Sequence, residues 1–164
     1  MADEIQKTKD AVSQLLSEAQ TILISVPGEE QGMAELGVSP FIQKDGHIYI
    51  YASRLSAHIR QLIGQSKAVF MMVADEARSQ NIWARHRLKF TAHIAEVPRE
   101  DKRFIDACDA IGAAHGPVMD LIRDFTDFHL FEITPDTGVF VRGFGAAFAV
   151  SGPDFTVGDK LQSS

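Results

Sequence analysis

Residues 127–145 read DFHLFEITPDTGVFVRGFG, and this stretch decides the fold of the 164-residue chain. Aromatic and β-branched residues lie on both sides of residues 134–138, which read TPDTG. That arrangement predicts two strands joined by a turn at those five residues. The second strand runs into Gly143-Phe144-Gly145, where glycines beside an aromatic residue permit a sharp bend or the close approach of a flat ligand. The stretch therefore predicts one β-hairpin with a candidate ligand contact at its end.

Composition limits the class of protein. Apolar residues make up 45% of the sequence and charged residues 23%, which is typical of a single soluble domain spanning residues 1–164. A net charge of −6 argues against a nucleic-acid partner, because such proteins need a basic face. Cys108 is the only cysteine, which excludes an intramolecular disulfide and agrees with a reducing cytosol. Since no apolar run approaches the length of a membrane span, we expect a cytoplasmic protein without a membrane partner.

The remaining pattern predicts a small antiparallel barrel. Apolar spacing indicates helices over residues 1–20, 54–64 and 99–114, the second capped by Ser53, and a short helix ending at Arg123. Strands are predicted at residues 21–26, 33–43, 47–52, 68–74 and 88–97, in addition to the final hairpin. Residues 68–74 are continuously apolar, which favours a strand buried on both faces, and residues 152–164 read as a flexible tail. The predicted class is mainly antiparallel β (α+β), with six to seven strands and peripheral helices.

Established catalytic motifs are absent from the sequence. It contains no Walker loop, no G-x-G-x-x-G, no G-x-S-x-G and no C-x-x-C. Two basic segments are the candidate binding residues that remain. Arg85-His86-Arg87 could hold phosphate or propionate oxygens, or could form a solvated loop paired with Asp75 and Glu76. Arg54, His58 and Arg60 lie on a predicted helix, and the alternative for them is an exposed helix face.

Three segments of the chain resemble one family. They are residues 51–62 (YASRLSAHIRQL), residues 82–90 (IWARHRLKF) and the final stretch, in the order and spacing of the haem-utilisation (HugZ/HutZ-type) branch of the pyridoxamine 5'-phosphate oxidase-like, FMN-binding split-barrel family. The resemblance covers most of residues 15–152 and implies a split-barrel homodimer with its ligand cleft between the subunits. His58 stands where the flavin-binding members have a lysine, and a histidine there is similar to the haem branch.

The resemblance also implies roles for individual residues. Asp127 matches an aspartate that assists at the iron from the partner subunit, although by itself it would be an ordinary turn residue. The histidine that ligates iron in haem-degrading members has no counterpart, because no histidine follows His129 in this sequence. His129 is then the candidate iron ligand, unless it points to solvent. Arg85 and Arg87 would hold propionates, and Gly143, Phe144 and Gly145 would line the macrocycle.

Three functions follow as hypotheses. The first is a protein that binds haem and either cleaves it at a meso carbon with dioxygen or stores and passes it on, with an electron donor or a haem donor protein as a further partner. The second is an FMN-binding oxidoreductase, with Arg54, Arg60 and Arg87 as phosphate anchors and His58 in place of the expected lysine. The third is a dimer that keeps the fold without a cofactor.

Overall fold

The computed structural model describes residues 1–162. Its four α-helices are α1 (Ala2–Glu18), α2 (Ala57–Leu62), α3 (Lys102–His115) and α4 (Val118–Ile122), and two short 3-10 turns lie at Glu76–Arg78 and Ile82–Ala84. The strands are β1 (Thr21–Pro27), β2 (Ala34–Pro40), β3 (Ile42–Lys44), β4 (His47–Ser53), β5 (Lys67–Val73), β6 (Arg87–Val97), β7 (Phe128–Gly143), β8 (Ala146–Ser151) and β9 (Thr156–Lys160). All pair antiparallel in one sheet, which confirms the predicted class.

The predicted hairpin is wrong, because residues 128–143 form the single strand β7. Its first half pairs with β4 and its second half with β8, while β6 accompanies it along both halves. Pro135 lies after the last pairing with β4 at Ile133 and before the first pairing with β8 at Thr137. Since neither β4 nor β8 pairs with Pro135, its lack of an N–H removes no ladder hydrogen bond on the side of β7 that faces these two strands. The true hairpin turn is at Phe144 and Gly145, between β7 and β8.

A bulge bends β7 at its middle. Phe90 pairs with Gly138 and Ala92 pairs with Pro135, so two residues of β7 stand opposite the single Thr91 of β6. A Cβ at Gly138 would collide with the carbonyl oxygen of Lys89 and with the side chain of Phe90. The strand can pass this close to β6 only because position 138 has no side chain. The pentapeptide that resembled a turn is therefore the bend of a continuous strand.

The bend divides the sheet into two parts that share β6 and β7. The larger part runs in the order β2-β1-β5-β6-β7, with β8 and β9 added beyond β7, and the smaller part is β6-β7-β4-β3. One buried cluster, which includes Ile24, Phe70 and Phe90, lies on one side of the sheet and also contains residues of α1 and α2. A second cluster, which includes Tyr51, Phe104 and Leu130, lies where α3 and α4 cover the smaller part.

Three further predictions differ from the structure. Strand β5 alternates between exposed and buried residues instead of being buried on both faces, so one of its faces meets no other layer of the described chain. Helix α2 begins after Ser56, because Ser53 is still the last residue of β4. The described residues hold nine strands instead of six or seven, partly because the predicted strand at residues 33–43 is two strands, β2 and β3.

The predicted flexible tail is also wrong for residues 156–160, which form β9. This strand pairs with β8, and Lys160 donates a hydrogen bond to Glu4 Oε1 of α1 at 2.9 Å. Arg142 of β7 approaches the same carboxylate oxygen at 3.4 Å, so the N-terminal helix and the last strand are tied together. Residues 163 and 164 lie outside the described part of the chain. No helix among residues 1–162 has the length and apolar character needed to cross a bilayer.

Replacing Gly138 with alanine tests the bend of β7. We expect Gly138→Ala to lower the free energy of unfolding by about 2–3 kcal/mol, because the new methyl group forces β6 and β7 apart. Gly158→Ala in β9 is the matched control, since its Cβ would meet its nearest neighbour, the Ala149 carbonyl oxygen, at an ordinary 3.5 Å. Urea unfolding followed by circular dichroism measures both variants, and equal stability losses would contradict the role assigned to Gly138.

Candidate functional site

Polar residues gather where β4 ends and β7 begins. We call Ser53, Arg54, Glu96, Asp127 and His129 the strand-end cluster. Antiparallel pairing sets Ser53 opposite Phe128, so the chain leaving β4 meets the chain entering β7. Ser53 Oγ donates a hydrogen bond of 2.5 Å to Asp127 Oδ2, and the Arg54 N–H donates one of 2.9 Å to the Asp127 carbonyl. The Asp127 carboxylate is thereby fixed in orientation at the sheet edge.

His129 is held from both sides of its ring. Nδ1 lies 2.6 Å from Glu96 Oε1, and Nε2 lies 3.3 Å from the Arg54 guanidinium. Arginine can only donate, so Nε2 accepts, and Nδ1 must carry the hydrogen that is donated to Glu96. The carboxylate therefore selects one tautomer, in which Nε2 offers its lone pair away from Glu96. The His129 side chain is 22% exposed, so its ring is partly accessible to solvent.

The loop beside the cluster is braced by Arg60. Its Nη1 donates to the carbonyls of Arg54 and Leu55, at 3.1 and 2.8 Å. Arg54 Nη1 in turn donates to the Thr126 carbonyl at 3.0 Å. A cavity of about 270 Å³ opens next to His129, below the roughly 300–1,000 Å³ usual for cofactor pockets. The cavity in one subunit is therefore smaller than the usual pocket for a large planar cofactor.

The second basic segment lies at a separate place in the fold. Arg85 Nε donates to the Ala74 carbonyl at 2.6 Å, and its Nη1 lies 4.0 Å from Glu76, the pairing that the solvated-loop alternative predicted. Arg87 Nη1 donates to the Arg85 carbonyl at 3.0 Å. Arg85 and Arg142 border a cavity of about 480 Å³ between α1 and this loop. These contacts order the entrance to β6 and leave part of each guanidinium available.

An exposed aromatic pair adjoins that segment. Phe144, at the tip of the β7–β8 turn, is 72% exposed, and Gly145 follows it with φ +60°. Trp83 is 77% exposed, and its neighbour Ala84 would lie 4.0 Å from a Cβ at Gly143. Sequence reasoning did not select Trp83 as a site residue, although the only tryptophan of the chain within a polar loop was a usable signal. Phe144 and Trp83 are thus two large apolar side chains left exposed near the β6 entrance.

His58 belongs to neither place. Its imidazole lies directly on the backbone of Gly37 in β2, in the space that any Cβ at position 37 would need. Burial lowers the pKa of His58, and the nearby Glu35 opposes that shift only in part. The ring is therefore neutral at neutral pH and serves to pack α2 on β2. The structure thus distributes the predicted site residues over three places: the strand-end cluster with Arg60, the β6 entrance with the β7–β8 turn, and the α2–β2 contact.

The outer side of the larger sheet part carries apolar residues that no other element of the described chain covers. We call Leu23, Leu36, Val38, Val69 and Met71 the outer apolar face. Leu23 pairs with Val38 and Met71, and Ser25 pairs with Leu36 and Val69, so all five side chains share one side of β2, β1 and β5. Leu36 is 69% exposed and Val38 is 57% exposed. Their adjacency on three strands is typical of an interface with another chain.

Comparison with solved structures defines the class of protein as a split barrel. The chain superposes on HutZ from Vibrio cholerae, described as a haem storage protein, with a TM-score of 0.72 and 24% identity over 77% of this chain and 89% of that one. The superposition on ChuZ from Campylobacter jejuni has a TM-score of 0.81 and 20% identity, over 97% of this chain and 67% of that one. For a pyridoxinephosphate oxidase family protein from Clostridium acetobutylicum the TM-score is 0.65 and the identity 13%, over 88% of this chain and 94% of that one. At these identities the likeness shows the shared fold.

Sequence comparison then gives the family. The curated protein named haem oxygenase HutZ, from Vibrio cholerae serotype O1, is 32% identical over 126 residues, which are 77% of this chain and 72% of that protein. No protein-family model matches the chain. The chain belongs to the HutZ-type, haem-utilisation branch of the pyridoxamine 5'-phosphate oxidase-like split-barrel family. The resemblance drawn from its three sequence segments is thereby confirmed.

A double-mutant cycle tests the contact between His58 and Gly37. We expect Gly37→Ala to destabilise the protein by about 1–3 kcal/mol, because the methyl group takes the space of the imidazole. In a His58→Ala background the same change should cost at least about 1 kcal/mol less, because the space is then free. Urea unfolding of the four proteins gives the coupling, and additive losses would show that the ring does not occupy this space.

Proposed function

We propose that this protein binds haem and serves in haem utilisation, with the haem held in a cleft between two subunits. The observation that carries the proposal is the His129 imidazole, fixed by Glu96 with Nε2 directed away from it, beside the aspartate that matches the haem branch. An imidazole nitrogen of this kind is the most common protein ligand of haem iron. The relative that is 32% identical to this chain is named haem oxygenase HutZ, which supports haem as the ligand of this chain too.

The residues of the chain divide the task of holding the ligand. When bound, haem would supply an iron centre able to bind dioxygen. Asp127, oriented by Ser53, would accept a hydrogen bond from water or a ligand in the cleft. Because the β6 entrance lies apart from the strand-end cluster within one subunit, Arg85 and Arg87 of one subunit would pair with the propionates of a haem whose iron lies against the strand-end cluster of the other. They would do so through the guanidinium nitrogens that their backbone contacts leave free. The apolar tip at Phe144, flanked by Gly143 and Gly145, would lie against the macrocycle.

In this proposal a second subunit completes the cleft. The cavity beside His129 is too small for a macrocycle, and the outer apolar face loses its exposure to water only when another chain covers it. Burial of apolar area contributes roughly 25 cal/mol per Å², so pairing of these faces is favourable. We therefore propose a homodimer. A cytoplasmic location and an electron donor or haem donor protein stay predictions of the sequence.

The flavin alternative loses support from the position of His58. His58 lies against the Gly37 backbone with its pKa lowered, so its ring offers no positive charge to a phosphate at neutral pH. Arg60 already donates to the carbonyls of Arg54 and Leu55. Arg54 and Arg60 are both exposed and each makes its contacts through Nη1 alone, so the absence of a charge at position 58 is what weakens the flavin alternative.

Titration of the tag-free protein with haemin tests the proposal. We expect a saturating shift of the Soret band at one haem per subunit, because each subunit would supply one iron ligand, His129. A parallel titration with FMN, followed by flavin fluorescence, should show no saturable binding. Saturation by FMN without saturation by haemin would reject haem binding and assign the chain to the flavin-binding members.

A charge in the outer apolar face tests the dimer. We expect Val38→Asp to convert the dimer to a monomer and to weaken haemin binding, because a carboxylate cannot be buried unpaired in an apolar interface. Leu121→Asp on α4 is the matched control, since Leu121 is 67% exposed and lies outside that face. Light scattering after gel filtration gives the mass of both variants, and a dimeric Val38→Asp protein would exclude this face as the interface.

A further inference from the structure

The contact between Glu96 and His129 depends on the register of two long strands. Glu96 of β6 stands opposite Phe131 of β7, and His129 is the residue two positions before Phe131. Residues in this diagonal relation lie on the same side of an antiparallel pair and within reach of long side chains. The 2.6 Å distance from Nδ1 to Oε1 shows that the two side chains meet directly.

A carboxylate on one imidazole nitrogen changes what the other nitrogen can do. Histidines that ligate metals usually donate the N–H of their second ring nitrogen to a carboxylate or carbonyl. This hydrogen bond fixes the ring and makes the other nitrogen a stronger electron-pair donor to the metal. In this chain Glu96 takes the hydrogen of Nδ1, and Nε2 is left with its lone pair. The pair therefore has the arrangement of a metal-ligating histidine and its carboxylate partner.

Arg54 is the group that stands in front of Nε2. Its guanidinium donates to Nε2 at 3.3 Å, a longer and weaker contact than the 2.6 Å contact on the other side of the ring. Arg54 is exposed and has a second acceptor in the Thr126 carbonyl at 3.0 Å. Its side chain can turn away without leaving a buried charge, and an anionic group of a bound ligand can then receive its guanidinium.

We propose that Glu96 is the positioning residue that makes His129 the axial donor to the haem iron, with Arg54 leaving Nε2 as haem enters. This inference rests on the proposed function, because it assigns the iron ligand within the same cleft. The axial ligand then comes from the second residue of β7.

Four variants of the full-length protein separate the two residues from their surroundings. We expect His129→Ala to bind haemin at least roughly tenfold more weakly, with free imidazole restoring the wild-type spectrum. Glu96→Gln should keep the ring in place but lower the iron–histidine stretching frequency and raise the iron reduction potential, because a neutral amide polarises the imidazole less. His93→Ala and Asp136→Asn are matched controls, since His93 and Asp136 form another histidine–carboxylate pair on the sheet, at 3.8 Å.

The outcomes distinguish this inference from the proposed function. Resonance Raman spectra of the ferrous protein and spectroelectrochemical titration give the stretching frequency and the potential. If wild-type protein binds haemin and His129→Ala binds it equally well with the same spectrum, His129 is not the ligand and only the inference fails. If Glu96→Gln leaves both the frequency and the potential unchanged, Glu96 has no positioning role. If wild-type protein binds no haemin, the proposed function fails as well.

Discussion

The passage of β7 alongside β6 is the constraint on which the rest of the structure depends. One strand of sixteen residues supplies pairing partners to β4, β6 and β8, so both parts of the sheet are built on it. This is possible only because the strand bends at the bulge and approaches β6 where Gly138 leaves room. A side chain at position 138 would separate β6 from β7 and would disturb the packing of the buried cluster that contains Phe90.

The same strand sets the geometry of the candidate site. His129 is its second residue and Asp127 immediately precedes it, so both lie where β4 ends, and the pairing of β7 with β6 brings Glu96 beside the imidazole. Its last residues carry Phe144 to an exposed turn. The two ends of β7 therefore hold different parts of the proposed haem cleft, and the rigidity of a paired strand fixes their separation within one subunit. The partner subunit completes the cleft in our proposal.

Sequence reasoning succeeded where the signal was local. The alternation at residues 88–97 located β6 because each residue reports its own burial, and three short segments were enough to indicate the family. Pro135 was misread because its tolerance depends on the gap between two pairing partners distant in sequence. The pairing of Glu96 with His129 depends on strand register, and the seat of His58 on Gly37 depends on how α2 packs on β2. Neither relation leaves a mark in the residues immediately around it.

The late position of β7 in the chain has a consequence for folding on the ribosome. Strand β4 pairs with β3, which is next to it in sequence, but its other partner is β7. Ile48 therefore cannot pair with Ile133 until that later part of the chain has been synthesised. Until then Ile48 and Ile50, both fully buried in the finished protein, face an unpaired edge. Non-local pairing of this kind is slow, and exposed apolar edges invite association with other nascent chains. Building both parts of the sheet on one late strand therefore leaves the apolar edge of β4 without its partner until β7 has been synthesised.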